Sequence, residues 1–176
     1  AQAVSAPKPD PAVPCTSACA ATTGPELIIN GINYNPSLQF NGSNETMAVA
    51  SGILGTTSPN DLIVFAVAEV GTVQNSELFY EDLASSEVFS AQIPWGDANA
   101  QYDYPDATGG VGRVSGAWGG TTSSANIWTL FSSTSAFSTA SGNINKGIFR
   151  DGILVASNTS SQTGTGNNSA FYIGSN

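Results

Sequence analysis

The chain contains no histidine and only four Lys and Arg residues among its 176 residues. Histidine is the commonest general base and zinc ligand, so its absence removes the first-choice residue of most hydrolase mechanisms. Thirteen Asp and Glu residues give the chain a formal net charge of −9. Because proteins bind nucleic acids largely through Lys and Arg contacts with phosphates, we expect no nucleic-acid partner.

Long apolar runs and cysteines are also scarce. No run of about 18 apolar residues occurs, so we expect no membrane insertion. The two cysteines, Cys15 and Cys19, follow a segment with prolines at positions 7, 9, 11 and 14. We predict that residues 1–24 form a Pro-rich arm or linker. A local Cys15–Cys19 disulfide would indicate an oxidising compartment, and the alternative is a pair of free thiols in a flexible tail.

Residues 25–176 consist of short apolar runs separated by Gly, Ser, Thr, Asn and Asp, which predicts one all-β domain, an antiparallel β-sandwich. Asp151-Gly152 lies between the apolar runs 148–150 and 153–156. Asp-Gly favours the positive φ angles of a two-residue type I′ turn, so these runs predict a tight hairpin.

Other strands and turns follow from the same pattern. The most apolar run, 61–70, is predicted to be a strand buried on both faces at the centre of a sheet. Residues 125–132 predict a core strand with Trp128 in the packing. Residues 132–143 and 158–169 predict polar connections, and Asn30-Gly31 predicts a turn.

Two segments carry a resemblance to a known family. They are NPSLQFNGSNETM, at 35–47, and the Asp-Gly hairpin followed by FYIG at 171–174. Both resemble the laminin-G-like or concanavalin-like jelly-roll domains of secreted bacterial surface proteins of the adhesin or gliding-motility type. The resemblance covers residues 35–175 and implies a jelly roll at the cell surface. This chain lacks the family's opening and closing motifs, so we expect a sandwich that is incomplete at its termini, with an uncovered strand at 171–173.

Two sets of residues are candidates for ligand binding. Sugar rings stack on aromatic side chains, and the aromatic residues near the acidic loops are Trp95, Tyr102, Tyr104 and Trp118. Laminin-G-like domains often hold a calcium ion, for which the candidate ligands are Asp97, Asn99, Asp103 and Asp106. The alternatives are core packing for the aromatic residues and a charged, solvated loop for the acidic ones.

Glu77, Glu81, Asp82 and Glu87 form an acidic cluster, but they lack the spacing by which jelly-roll glycosidases place two carboxylates on one strand. We therefore predict a non-enzymatic, secreted surface domain, an adhesin or glycan-binding module of a larger bacterial protein. The alternative is a subunit or segment of a surface filament whose strand edges pair with neighbouring chains. Asn-x-Ser/Thr sequons at Asn41, Asn44, Asn158 and Asn167 would carry glycans only on a glycosylating secretory route.

Overall fold

The computed structural model describes residues 24–43, 45–59, 61–105, 112–120, 122, 124–140 and 142–175. These ranges contain one 3-10 turn, Ala84–Ser86, and no helix that could span a membrane. The strands are β1 (Glu26–Ile32), β2 (Asn35–Gln39), β3 (Met47–Val49), β4 (Asp61–Ala68), β5 (Glu77–Leu83), β6 (Val88–Gln92), β7 (Asn99–Asp103), β8 (Arg113–Ala117), β9 (Asn126–Thr139), β10 (Gly142–Arg150), β11 (Ile153–Asn158) and β12 (Gly166–Ser175). The all-β prediction is confirmed. The predicted arm lies outside the described residues except for Gly24, as does the predicted disulfide.

The strands form two antiparallel sheets and one separate hairpin. The larger sheet has the order β3-β12-β5-β6-β7-β8, and the smaller sheet has the order β11-β10-β9-β4. The hairpin β1–β2 pairs only with itself. The core lies between the two sheets, where Phe79, Phe89 and Tyr102 of the larger sheet face Trp128, Leu130 and Ile148 of the smaller one. The predicted antiparallel sandwich is therefore confirmed, and its jelly-roll connectivity stays a prediction.

Aromatic contacts fix the inner face of the larger sheet. The Phe89 ring lies 4.7 Å from that of Phe79 and 5.8 Å from that of Tyr104, centroid to centroid. Aromatic pairs at these distances stabilise a core by more than the area that they bury. Since side chains alternate along a strand, fixing these rings inward turns the intervening residues of β6 and β7 to the outer face.

The closing hairpin has the predicted turn. Asp151 has a φ of 50° and Gly152 a φ of 79°, and β10 pairs with β11 directly on either side. Both central residues therefore have the positive φ of a type I′ turn.

Replacing Gly152 with valine is expected to destabilise the fold by more than ~1 kcal/mol, because a β-branched residue is strained at positive φ. The open space around Gly152 means that backbone strain, and not a clash, would be the cause. Urea unfolding measures the loss, and Gly152→Asn is the control, since Asn tolerates this conformation better. Equal stabilities of the parent and the valine variant would rule out the turn type.

The most apolar run forms the predicted strand, but its predicted position at the centre of a sheet, buried on both faces, was wrong. Strand β4 lies at the edge of the smaller sheet and pairs only with β9. Leu62, Val64 and Ala66 pack against the core, whereas Phe65, in the middle of the strand, is 73% exposed. The run is apolar on both faces, but only one face is covered by the part of the chain that the structure describes.

The prediction of an uncovered strand at 171–173 was also wrong. Strand β12 has neighbours on both sides, because β3 pairs with it along 171–173 and β5 pairs with its other edge. Three boundaries differ as well, and one of them is the start of β12 at Gly166, inside the predicted polar connection 158–169. The first hairpin turns at Asn33-Tyr34 instead of Asn30-Gly31, and β9 continues to Thr139 through residues predicted to be a polar connection.

Candidate functional site

A polar groove lies on the outer face of the larger sheet. This groove is called the outer groove below. It is lined by Glu77, Tyr80, Val88, Ser90, Gln92, Trp95, Asp103 and Arg113. They enclose a cavity of about 170 Å³. The groove is therefore on the side of the sheet opposite to the aromatic core.

Strand pairing brings these residues together. Tyr80 lies opposite Ser90, Ser90 opposite Asp103, and Asp103 opposite Arg113, so the four form one row across β5, β6, β7 and β8. Cross-strand partners project from the same face of a sheet. Since Phe89 and Tyr102 point into the core, Ser90 and Asp103 must point outward.

An ion pair forms one end of the groove. Arg113 donates from Nε to Asp103 Oδ1 at 2.7 Å and from Nη2 to Asp103 Oδ2 at 2.8 Å. The hydrogen bond with Asp103 raises the pKa of the Arg113 guanidinium. Asp103 is buried, and Ser90 Oγ donates to its Oδ2 at 3.3 Å. A bidentate pair of this kind holds the guanidinium in one orientation.

Gln92 contributes an acceptor without a partner. Its Nε2 donates to Glu77 Oε1 at 3.0 Å and to Ser90 Oγ at 3.1 Å. The side chain is 3% exposed, and its Oε1 has no hydrogen-bond partner among the residues that the structure describes. Leaving a buried acceptor unsatisfied costs about 1–3 kcal/mol. Because Gln92 lines the groove, a small movement of its side chain would let a ligand hydroxyl satisfy this oxygen.

Two aromatic residues, Trp95 and Tyr80, line the groove and are partly exposed. Trp95 follows β6 in a tight turn, where Ala98 N donates to Trp95 O at 2.8 Å and Trp95 N donates to Asn99 O at 2.8 Å. The Tyr80 hydroxyl donates to Asp82 Oδ1. Burial, followed by the hydrogen bond with Asp82, raises the pKa of Tyr80. The groove therefore has aromatic surface as well as polar groups.

The other predicted sugar-binding aromatics lie in the interior, so the role predicted for them does not fit the structure. Tyr102, Tyr104 and Trp118 are all buried. Tyr102 Oη lies 3.3 Å from Ser132 Oγ of the facing sheet, and Tyr104 Oη donates to Pro59 O at 3.1 Å. The Tyr102 ring packs in the core because β7 turns its even-numbered side chains inward, and the rings of Tyr104 and Trp118 belong to the same core cluster. Trp95 is the one of the four that lines the groove.

The predicted calcium ligands do not converge in the described residues. Asp97 is exposed and accepts from both Asn99 N and Asn99 Nδ2 at 2.9 Å, and these hydrogen bonds, the side-chain one first, lower its pKa. Asp103, at the far end of β7, is paired with Arg113. Asp106 lies outside the described residues. No group of three or more His, Cys, Asp or Glu residues that could hold a metal ion occurs within the described ranges, and calcium binding stays a prediction.

The acidic cluster has structural partners. Strand β5 continues through Glu81, whose carboxylate is buried and accepts from Ile53 N at 3.0 Å and from Leu54 N at 3.4 Å. Glu81 therefore anchors the loop after β3, and Asp82 accepts from Tyr80. Of the four clustered residues, Glu77 is the one that lines the groove.

The sequons differ in their surroundings. Asn41 is exposed, whereas Asn158 Nδ2 donates to Arg113 O at 3.5 Å and Asn167 Nδ2 donates to Leu83 O at 3.1 Å. An N-linked glycan is attached at the amide nitrogen, so these two hydrogen bonds disfavour attachment at Asn158 and Asn167. Asn44 lies outside the described residues.

Sequence reasoning missed Tyr80, Ser90, Gln92 and Arg113 as groove residues. The alternation of Ser90 and Gln92 with apolar neighbours was the available signal, because it predicts a polar outer face for that strand. Comparisons of the chain with protein-family models, with curated proteins and with solved structures give no match.

Proposed function

We propose that this chain is a non-enzymatic extracellular domain that binds glycans in the outer groove, as a module of a larger secreted bacterial surface protein. The observation that carries the proposal is the buried, unpartnered Gln92 Oε1 in a groove that Trp95 also lines. Sugars present hydroxyl donors and an apolar ring face together, and this groove offers a partner for each. The resemblance of 35–47 and 151–174 to surface jelly-roll domains supports the same class.

Each groove residue has a defined part in this proposal. The Trp95 ring packs against the apolar face of a sugar ring, and Gln92 Oε1 accepts a hydrogen bond from a hydroxyl group. Arg113 uses two of its N–H groups on Asp103, and its remaining N–H groups can donate to sugar oxygens. Because the cavity is smaller than the ~300 Å³ at the lower end for drug-sized ligands, it suits one sugar residue of a longer glycan.

The charge of the chain narrows the ligand class. The net charge is −9, and within the groove the one cation, Arg113, is neutralised by Asp103 while Glu77 adds a carboxylate. Sulfated glycans and glycans rich in uronic acids would meet a repulsive field. We therefore expect neutral sugars or amino sugars to bind best.

Replacing Trp95 with alanine is expected to weaken glycan binding by at least ~10-fold, because the variant loses the burial of an aromatic side chain against the sugar ring. A glycan array identifies the ligand, and titration calorimetry then compares the parent, Trp95→Ala and the control Tyr34→Ala. Tyr34 is exposed at the tip of the separate hairpin, so its replacement should leave affinity unchanged.

Repeating the glycan array with EDTA, which removes calcium, tests the prediction that calcium supports glycan binding. A blank array under both conditions would contradict the proposed function. Equal affinities of the parent and Trp95→Ala would show that the ligand binds outside the groove.

A second function, a structural subunit of a surface filament, is favoured by one observation. Strand β4 is an edge that no other described strand covers, and it contains no Lys, Arg or Pro, the residues that commonly block edge-to-edge pairing. A filament would be supported if the purified chain gave a blank array and assembled into open-ended polymers.

A further inference from the structure

The outer face of the smaller sheet is apolar. Its residues, called the apolar face below, are Ile63, Phe65 and Val67 of β4, Ile127 and Phe131 of β9, and Phe149 of β10. The first four are each more than half exposed. Large apolar side chains are usually scattered singly on a protein surface, so an adjoining set requires an explanation.

The strand register makes these side chains one continuous surface. Ile63 lies opposite Phe131 and Val67 opposite Ile127, while Thr129 lies between Phe65 and Phe149 in the middle of the face. The rings of Phe131 and Phe149 are 6.0 Å apart. Both rings lie over Gly147, where an added Cβ would meet Phe131 Cε1 at 2.7 Å, so the glycine lets the rings lie across the sheet.

Charged groups lie at the rims of this face. Asp61 begins β4 and accepts from Ser133 Oγ at 2.5 Å, and Asp151 Oδ1 accepts from Ile127 N at 2.8 Å. The residues of the face itself are uncharged, so its occupant is recognised by apolar contact and not by opposite charge.

The size of the face indicates what could cover it. From the exposed fractions of its side chains, the apolar face offers roughly 500 Å² per chain, near the upper end for the largest patch on a monomer. Two such faces in contact would bury about 1,000 Å² in total, near the lower limit for a specific interface and typical of a weak one. One further copy of the chain therefore supplies enough surface of matching chemistry.

We propose that the apolar face is a dimer interface, in which the smaller sheets of two copies stack face to face about a two-fold axis. Sheets stacked in this way lie ~10 Å apart with their side chains interdigitated. The outer groove is on the other sheet, so both grooves stay open and face away from each other. Because the two grooves point in opposite directions, the dimer would bridge glycans on two separate surfaces or chains.

Sedimentation equilibrium of the full chain tests this proposal. We expect a dimer with a dissociation constant within about 1–100 μM, since an interface of this modest area gives moderate affinity. Because both copies are acidic, added salt should strengthen the dimer by screening their repulsion, the opposite of the effect on ion-paired partners.

Phe65→Ser is the test variant, and it should weaken dimerisation by at least tenfold. Phe65→Leu keeps an apolar side chain and should still dimerise. Ile53→Ser is the matched control, because Ile53 is similarly exposed but is not part of the apolar face, and it should dimerise like the parent. None of these changes touches the outer groove, so glycan binding at a single site should be unaffected.

A parent chain that stays monomeric across this concentration range would overturn the proposal, and the face would then belong to a different partner. Equal dimerisation of the parent and Phe65→Ser would also overturn it. If Phe65→Ser does not fold, isotope-filtered NMR on a mixed-label dimer of the parent replaces it. Contacts between the Phe65 ring and the apolar face of the other copy support the interface, and their absence overturns it.

Discussion

Replacing Trp128 with alanine is expected to lower the free energy of unfolding by ~3–5 kcal/mol, because it leaves a large cavity in a closely packed core. Trp128 is 1% exposed on β9, which lies between β4 and β10 in the smaller sheet. The burial predicted for this residue from the sequence is confirmed. Urea unfolding at low protein concentration measures the loss.

The matched control for this variant is Ile127→Ala. Ile127 is the preceding residue of the same strand, but its side chain points outward and is more than half exposed. Its loss in the monomer should be less than ~1 kcal/mol, because little area leaves water when this side chain folds. Similar losses for the two variants would contradict the assignment of the inner and outer faces of β9.

Replacing Arg113 with methionine is expected to destabilise the fold by ~3 kcal/mol, because Asp103 would remain buried as a charge without its cation. Asp103 is 1% exposed, and both of its oxygens accept from Arg113. Most of the lost stability comes from leaving the Asp103 carboxylate buried without a partner, and the attraction between the two charges contributes less.

A double-mutant cycle tests this explanation. The double variant Arg113→Met/Asp103→Leu removes both charges, so it should recover much of the stability lost in Arg113→Met. If the two single losses simply add, the pair is not coupled, and it does not organise the end of the groove as described.

The features that the sequence predicts correctly are local. The type I′ turn at Asp151-Gly152 depends on two adjacent residues, and the burial of Trp128 follows from the alternation of its own strand. The wrong predictions concern the identity of strand neighbours. The run 61–68 is apolar enough for a central strand, but the number of partners beside it is decided by residues far along the chain.

The pairing of strand β12 also depends on residues far along the chain. Its second neighbour is β3, which has only three residues and carries no strong strand signal of its own. The missing family motif predicted an open edge, but a short segment 120 or so residues earlier in the chain covers it. Such long-range pairing is a property of the whole fold, and no local pattern encodes it.

Part of the candidate site could be predicted from the sequence. Residues 102–104 read Tyr-Asp-Tyr, so the two tyrosines must share one face of the strand and Asp103 the other. Only the position of the core decides which face is buried. The meeting of Asp103 with Arg113 and Ser90 depends on the register of three strands, which the sequence does not specify by itself.

The most direct test of glycan binding in the outer groove is an NMR titration of the labelled chain with the best sugar from the array. The chain has three tryptophans, whose indole N–H groups give separate signals. We predict that the indole signal of Trp95 and the side-chain amide signals of Gln92 shift, while those of the buried Trp118 and Trp128 stay in place. Binding that leaves Trp95 and Gln92 unmoved would contradict the account.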